Sequence, residues 1–255
     1  MMQCCKCSLI YCDPMPLPDE HLATYSQDYF VQHYLRVESA RMSYLRYHLA
    51  PVLQIKHVPG RWLDIGSGAG LLLSLVEKMG WDGYGVEPST AGCMLAAQRT
   101  RAHIFNGQLA DACLSPGFFD VVSIWDVLSW APDPMGICTQ AVRLLKRNGL
   151  LVMKLPYLRE RIYRLVDLMC CVQNRGRSFL FLPGRMYSFP YRTMDVMCQT
   201  LGLKVVLTRP IDEVSQPPVG PWSVSALSEA LLKKGLEVLN GKPTYVVCAE
   251  KAGGA

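Results

Sequence analysis

Arg61-Trp-Leu-Asp-Ile-Gly-Ser-Gly-Ala-Gly70 decides the fold of this chain, because it predicts a strand running directly into a glycine turn. Trp62, Leu63 and Ile65 supply a short apolar strand. Gly66, Gly68 and Gly70 let the backbone turn tightly and approach a ligand with no Cβ in the way. Leu71, Leu72, Leu75 and Val76 follow at helical spacing, which sets a helix N-terminus just behind the glycines. Gly80 ends that helix, and Asp82-Gly-Tyr-Gly-Val-Glu87 predicts a second strand with an acid at its tip. Glu87 lies 21 residues after Gly66. That is close to the roughly 20-residue interval at which an acidic side chain meets ribose hydroxyls in a βαβ nucleotide site.

The glycines fall as G-x-G-x-G, not as the G-x-G-x-x-G of dinucleotide sites, and Asp64 precedes them on the strand. Leu63-Asp-Ile-Gly-Ser-Gly-Ala-Gly70 resembles the first motif of the class I S-adenosylmethionine-dependent methyltransferases. S-adenosylmethionine has an amino acid and a sulfonium cation and no pyrophosphate, so an acidic glycine turn suits it better than a phosphate cradle. The resemblance continues through Phe119-Asp-Val-Val-Ser-Ile-Trp-Asp126, a buried strand ending in an acid, and the loop Val127 to Pro134. Residues 135 to 147 then carry a helical pattern, and Arg143-Leu-Leu-Lys-Arg-Asn-Gly149 stands where the family has an "R-L-L-K-P-G-G" turn before the strand Leu150 to Leu155. Asn148 tolerates left-handed dihedrals, so the turn chemistry survives the replacement.

The resemblance implies an α/β fold: a seven-stranded, mostly parallel Rossmann-like sheet with helices on both faces and the last two strands antiparallel. It implies S-adenosylmethionine bound at the C-terminal strand ends by Asp64, Gly66, Gly68, Gly70 and Glu87. It carries Gln108, Leu109, Trp125 and Asp126 to the same site.

At 255 residues and 50% apolar content the chain suits one large α/β domain. A net charge of +5 is too modest to diagnose nucleic-acid binding. No apolar run reaches the ~18 residues of a membrane span, and no signal-peptide pattern opens the chain. Cysteines such as Cys138, Cys198 and Cys248 sit in apolar periodic segments, as buried thiols do, which points to a reducing cytoplasm.

Residues 1–32 are expected to form a small extension ahead of a methyltransferase domain over 33–255. Cys4-Cys5-Lys6-Cys7, Tyr11-Cys12-Asp13-Pro14 and Tyr25-Ser-Gln-Asp-Tyr29-Phe30 resemble the N-terminal segment of a small-molecule branch of the family, where two C-x-x-C knuckles close a structural zinc site. Only one knuckle stands here, so the expectation is a remnant without metal. A helix is expected over 33–55, a helix over 157–173 and another over 224–239, with 157–190 forming a lid.

Many relatives carry Glu-His in the loop after the fourth strand. Ser129 and Trp130 replace the pair, which removes the obvious general base and leaves Trp130 either to stack on an acceptor or to pack in the core. Tyr29, His33 and Tyr157 are the substitute catalytic candidates. No Asn/Asp-Pro-Pro-Tyr motif and no Pro-Cys nucleophile follows that strand, which disfavours nucleobase chemistry. An oxygen or carbon of a small-molecule acceptor is therefore the expected methyl target. Seven arginines between 157 and 192, interleaved with aromatic residues, suit either an anionic acceptor or a solvated helix face. An RNA methyltransferase, or a non-catalytic partner that keeps the fold, are the alternatives.

Overall fold

The computed structural model describes residues 2–13, 35–157, 186–211 and 244–252. Tyr29, His33, the helix expected over 224–239 and the arginine-rich stretch from 158 to 185 lie outside the described residues. Strands β1 (Met2–Gln3) and β2 (Ile10–Tyr11) come first. A 3-10 turn at Leu35–Val37 leads into helix α1 (Glu38–Ile55), then β3 (Arg61–Ile65), α2 (Leu71–Glu77) and β4 (Asp82–Glu87). Helix α3 (Thr90–Arg99), β5 (His103–Asn106), β6 (Phe119–Trp125), α4 (Pro134–Leu144) and β7 (Leu145–Pro156) follow. Strand β8 (Tyr187–Ser188), α5 (Tyr191–Thr200), β9 (Leu203–Ile211) and β10 (Thr244–Lys251) complete the described elements.

The central sheet has seven strands in the order β5-β4-β3-β6-β7-β10-β9. Strand β3 runs parallel to β4 and β6, β6 runs parallel to β7, and β10 runs antiparallel to both β7 and β9. This is the fold the sequence resemblance implies. The period-2 alternation of strand side chains builds a core on each face. Leu63, Ile65, Val122, Ile124 and Met153 pack with α4 and α5 on one side. Trp62, Val121, Leu150 and Val152 pack with α1 and α2 on the other. Each such fully buried side chain contributes roughly 1.5–3 kcal/mol relative to exposure.

Helix α4 stops at Leu144, three residues short of the expected end. Leu145 pairs with Phe119 instead, and Lys146 Nζ lies 2.8 Å from both carboxylate oxygens of Asp120. Those partners draw the chain into the sheet. The register then jumps so that Val121 faces Leu150, and Asn148 takes φ +58 inside the jump. The left-handed turn expected there is present, with Asn in the place of the family's glycine.

A second sheet, β1-β2-β8, joins the first residues of the chain to residues 187 and 188. Cys12 N donates to Met186 O at 3.0 Å, and Thr193 Oγ1 donates to Cys7 O at 2.8 Å. The N-terminal hairpin thus rests against the start of α5.

Candidate active site

Strand β3 delivers the chain into the glycine turn, where Gly66, Gly68 and Gly70 have φ values of +74, +51 and +75. Only glycine adopts such angles without cost. A Cβ on Gly66 would fall 2.3 Å from Val127 Cγ2, so the turn and the loop after β6 touch at this point. Gly70 caps α2, and a Cβ there would meet Ala96 Cβ of α3 at 3.0 Å.

Two acids flank the turn. Glu87 Oε2 accepts from Gly68 N at 2.8 Å, and Oε1 accepts from Ser89 N at 2.8 Å. The acid at the tip of β4 therefore braces the glycine turn and the entry to α3 at once. Arg99 adds a second brace: it donates to Ala69 O at 2.7 Å and to Glu38 Oε2 of α1 at 2.8 Å. Asp64 is buried on β3 and accepts from Ser123 Oγ at 2.6 Å, while Ser123 Oγ accepts from Trp62 Nε1 at 2.8 Å.

Burial pushes the Asp64 carboxyl up to about 7, against the pull of the Ser123 hydrogen bond and with help from the charge of Glu87. Glu87 is also raised by burial, with the Ser89 and Gly68 amides pulling the other way. Among the described residues neither acid has an ion-pair partner. Two buried carboxylates without a cation, set around three left-handed glycines, fit a ligand that brings its own positive charge. S-adenosylmethionine carries that charge on its sulfonium and its α-ammonium. Gln108 stands exposed at the 3-10 turn after β5, and Leu109 packs half-buried against the core.

Asp126 follows β6 with φ +62, a left-handed conformation uncommon for non-glycine residues, though aspartate and asparagine adopt it more readily than most. Its Oδ2 lies 2.5 Å from Lys154 Nζ on β7. Lys154 is 6% exposed, on the α1 face, in register with Trp125. Sequence reasoning missed this lysine, although a lone ammonium inside the apolar run Leu150 to Leu155 was a signal: a buried charge needs a partner. Ser129 is buried, and its carbonyl accepts from Met186 N at 2.7 Å. Trp130 is half-buried. Tyr157 lies on the opposite face from Lys154, its ring 4.8 Å from Tyr191 and 6.0 Å from Tyr245.

In the N-terminal hairpin, Ser8 takes φ +67, and hydrogen bonds from the amides of Cys7 and Lys6 lower the Cys4 thiol below its ordinary value. Burial raises Cys7 and Cys12. Among the described residues no three His, Cys, Asp or Glu side chains group as metal ligands.

A family model described as a methyltransferase domain matches residues 31–208. The chain belongs to this family. Its membership makes S-adenosylmethionine the cofactor. An ubiquinone biosynthesis O-methyltransferase of Methylococcus capsulatus is 32% identical over 95 residues, covering 34% of this chain and 39% of the relative. One from Colwellia psychrerythraea is 26% identical over 129 residues, covering 46% of this chain and 52% of the relative. The chain thus spans about two fifths to one half of the length of the curated relatives it matches. The solved S-adenosylmethionine-dependent methyltransferase of Archaeoglobus fulgidus superposes with TM-score 0.59 at 18% identity, covering 85% of this chain and 98% of that one. The magnesium protoporphyrin IX methyltransferase of Synechocystis with bound S-adenosylhomocysteine gives 0.56 at 15% identity, covering 85% of each. These likenesses concern the fold. Among the described residues no helix is long and apolar enough to cross a membrane.

Proposed function

We propose that this methyltransferase moves a methyl group to an oxygen of a small-molecule acceptor. The observation that carries the methyl-donor half of the reading is the pair of buried acids, Asp64 and Glu87, around the glycine turn, with no ion-pair partner among the described residues. The names of the curated relatives support oxygen as the target. When bound, the cofactor supplies an electrophilic methyl on a sulfonium. The chain's own task is to hold that end still, exclude water and line up the acceptor. Asp64, Gly66, Gly68, Gly70 and Glu87 serve the first need, with Gln108, Leu109, Trp125 and Asp126 on the rim. Tyr29, His33 and Tyr157 remain candidates for touching the acceptor. The free, buried thiols of Cys138, Cys198 and Cys248 support a reducing, cytoplasmic setting.

The test is incubation with methyl-labelled S-adenosylmethionine and a panel of phenols, carboxylic acids and amines, with products read by mass spectrometry. Label on oxygen is expected. Label confined to amines or to added RNA would overturn the reading.

The segment over 157–190 serves, in this proposal, as an acceptor lid. Arginine-to-alanine variants at Arg159, Arg161, Arg175, Arg177 and Arg185 should then weaken the acceptor and leave the cofactor unchanged. An arginine engaged with an anionic acceptor should cost about 2–5 kcal/mol of acceptor binding when lost. An exposed one should cost at most ~1 kcal/mol. Equal loss of cofactor affinity, measured by calorimetry, would place the segment at the cofactor site instead.

A further inference from the structure

We propose that Lys154, steadied by Asp126, is the specificity-determining cation that anchors the acceptor as a phenolate. The inference rests on the oxygen-acceptor reading above and names the residues that would enforce it. Four observations place the pair. The glycine turn touches the loop after β6 at Val127, so Asp126 is the chain neighbour of the residue that meets the turn. Lys154 lies one strand further along the sheet edge, in register with Trp125. The ammonium is buried while the Asp126 side chain is 32% exposed, so the carboxylate is the outer member and can yield ground to a ligand. The wall over the pair is aromatic: Lys154 Nζ sits 5.5 Å from the Tyr44 ring, and Tyr44 meets Trp125 edge-on at 6.5 Å.

A buried ammonium in a strand that otherwise faces an apolar core is costly, and a surface-type ion pair elsewhere would hold the sheet edge as well. Its chemistry suits binding. The ammonium has three N–H donors, and among the described residues one is directed at Asp126. Low-polarity surroundings strengthen its attraction for a second anion. The flat rings of Tyr44 and Trp125 match an aromatic body better than an aliphatic one. Among the described residues, the titratable and charged groups facing the ammonium are Asp126 and Tyr44, with the His48 ring 4.4 Å behind Tyr44 on α1.

An acceptor hydroxyl brought next to the ammonium becomes more acidic and gives its proton to solvent on binding. A lone pair of the resulting oxyanion then forms the O–CH3 bond. The S–CH3 bond breaks with its electron pair left on sulfur, so charge and atoms balance without a protein base. The role of the missing Glu-His pair is met by an acceptor that ionises to solvent as it binds beside the ammonium.

The test uses 4-nitrophenol, whose anion absorbs in the visible, and its near-isostere 4-nitroaniline, added to the protein saturated with S-adenosylhomocysteine. In the wild type, the ionisation midpoint of bound 4-nitrophenol should fall by about one unit or more. Lys154→Met should lose that shift and bind the dye about ten-fold or more weakly, while Lys154→Arg keeps both within about three-fold. S-adenosylhomocysteine affinity and thermal melting, measured on the same samples, should change little in either variant. Because the midpoint shift is read on the wild type alone, the idea stays testable even if Lys154→Met folds poorly. No dye binding, no shift, or equal binding by wild type and Lys154→Met would overturn the assignment of Lys154 while leaving the oxygen reading standing. Methylation of 4-nitroaniline with 4-nitrophenol ignored would overturn the oxygen reading itself.

Discussion

Asp64→Asn should stabilise the cofactor-free protein at pH 8 by about 4 kcal/mol, because burial lifts the native carboxyl from 3.8 to about 7 and each unit is worth ~1.4 kcal/mol. A carboxyl raised by folding gives its full stability below its unfolded value, and that stability is lost as pH climbs from about 4 towards 7. The wild type should therefore melt lower at pH 8 than at pH 5.5, with Glu87, raised in the same direction, adding to the slope. Asparagine keeps an acceptor for Ser123 Oγ and carries no charge, so its melting curve should be flatter. For a chain of this size the gain at pH 8 corresponds to roughly 8–16 °C in Tm. The same substitution should weaken S-adenosylmethionine. A cationic ligand favours the ionised acids, so wild-type affinity should rise between pH 5.5 and 7.5 with release of protons, measured by calorimetry in buffers of different ionisation heat. A melting profile with the same pH dependence in both proteins would show that folding does not raise the Asp64 carboxyl, and identical binding profiles would show that it is remote from the ligand.

Glu87→Ala should weaken S-adenosylmethionine by roughly 1.5–3 kcal/mol, about ten- to more than a hundred-fold in Kd. Both of its oxygens accept backbone amides, one in the glycine turn and one at the start of α3. Loss of the carboxylate frees Gly68 N and Ser89 N together, so the turn loses its brace as well as any bond to the ribose. Glu87→Gln, which has one acceptor oxygen, should fall between. Hydrogen exchange at Gly68 and Ser89 separates the causes: faster exchange in the free Glu87→Ala protein signals the lost brace. Unchanged affinity would exclude Glu87 from the site.

The strand-turn-helix at the heart of the fold was legible because its chemistry is local. Left-handed φ values at Gly66, Gly68 and Gly70 need glycine, and Leu71 to Val76 state a buried helix in their own periodicity. Asn148 announced its turn for the same reason. The end of α4 was not legible, since Lys146 leaves the helix for Asp120, a partner 26 residues away. Nor was the β1-β2-β8 sheet, whose pairing of Ile10 with Ser188 depends on two segments far apart in the chain. At the site, sequence named Asp64 and Glu87 but not their burial, which sets the charge of the turn. The partnership of Asp126 and Lys154 emerged only when parallel pairing set β6 beside β7.

Titration calorimetry of the wild type at pH 8 tests the proposed cofactor role of the glycine turn most directly, with S-adenosylmethionine and NADH as titrants in separate runs and Gly68→Val alongside. The account predicts one S-adenosylmethionine per chain, no heat from NADH, and a folded Gly68→Val protein that binds neither. Tight NADH binding without S-adenosylmethionine binding, or equal S-adenosylmethionine affinity in wild type and Gly68→Val, would contradict it.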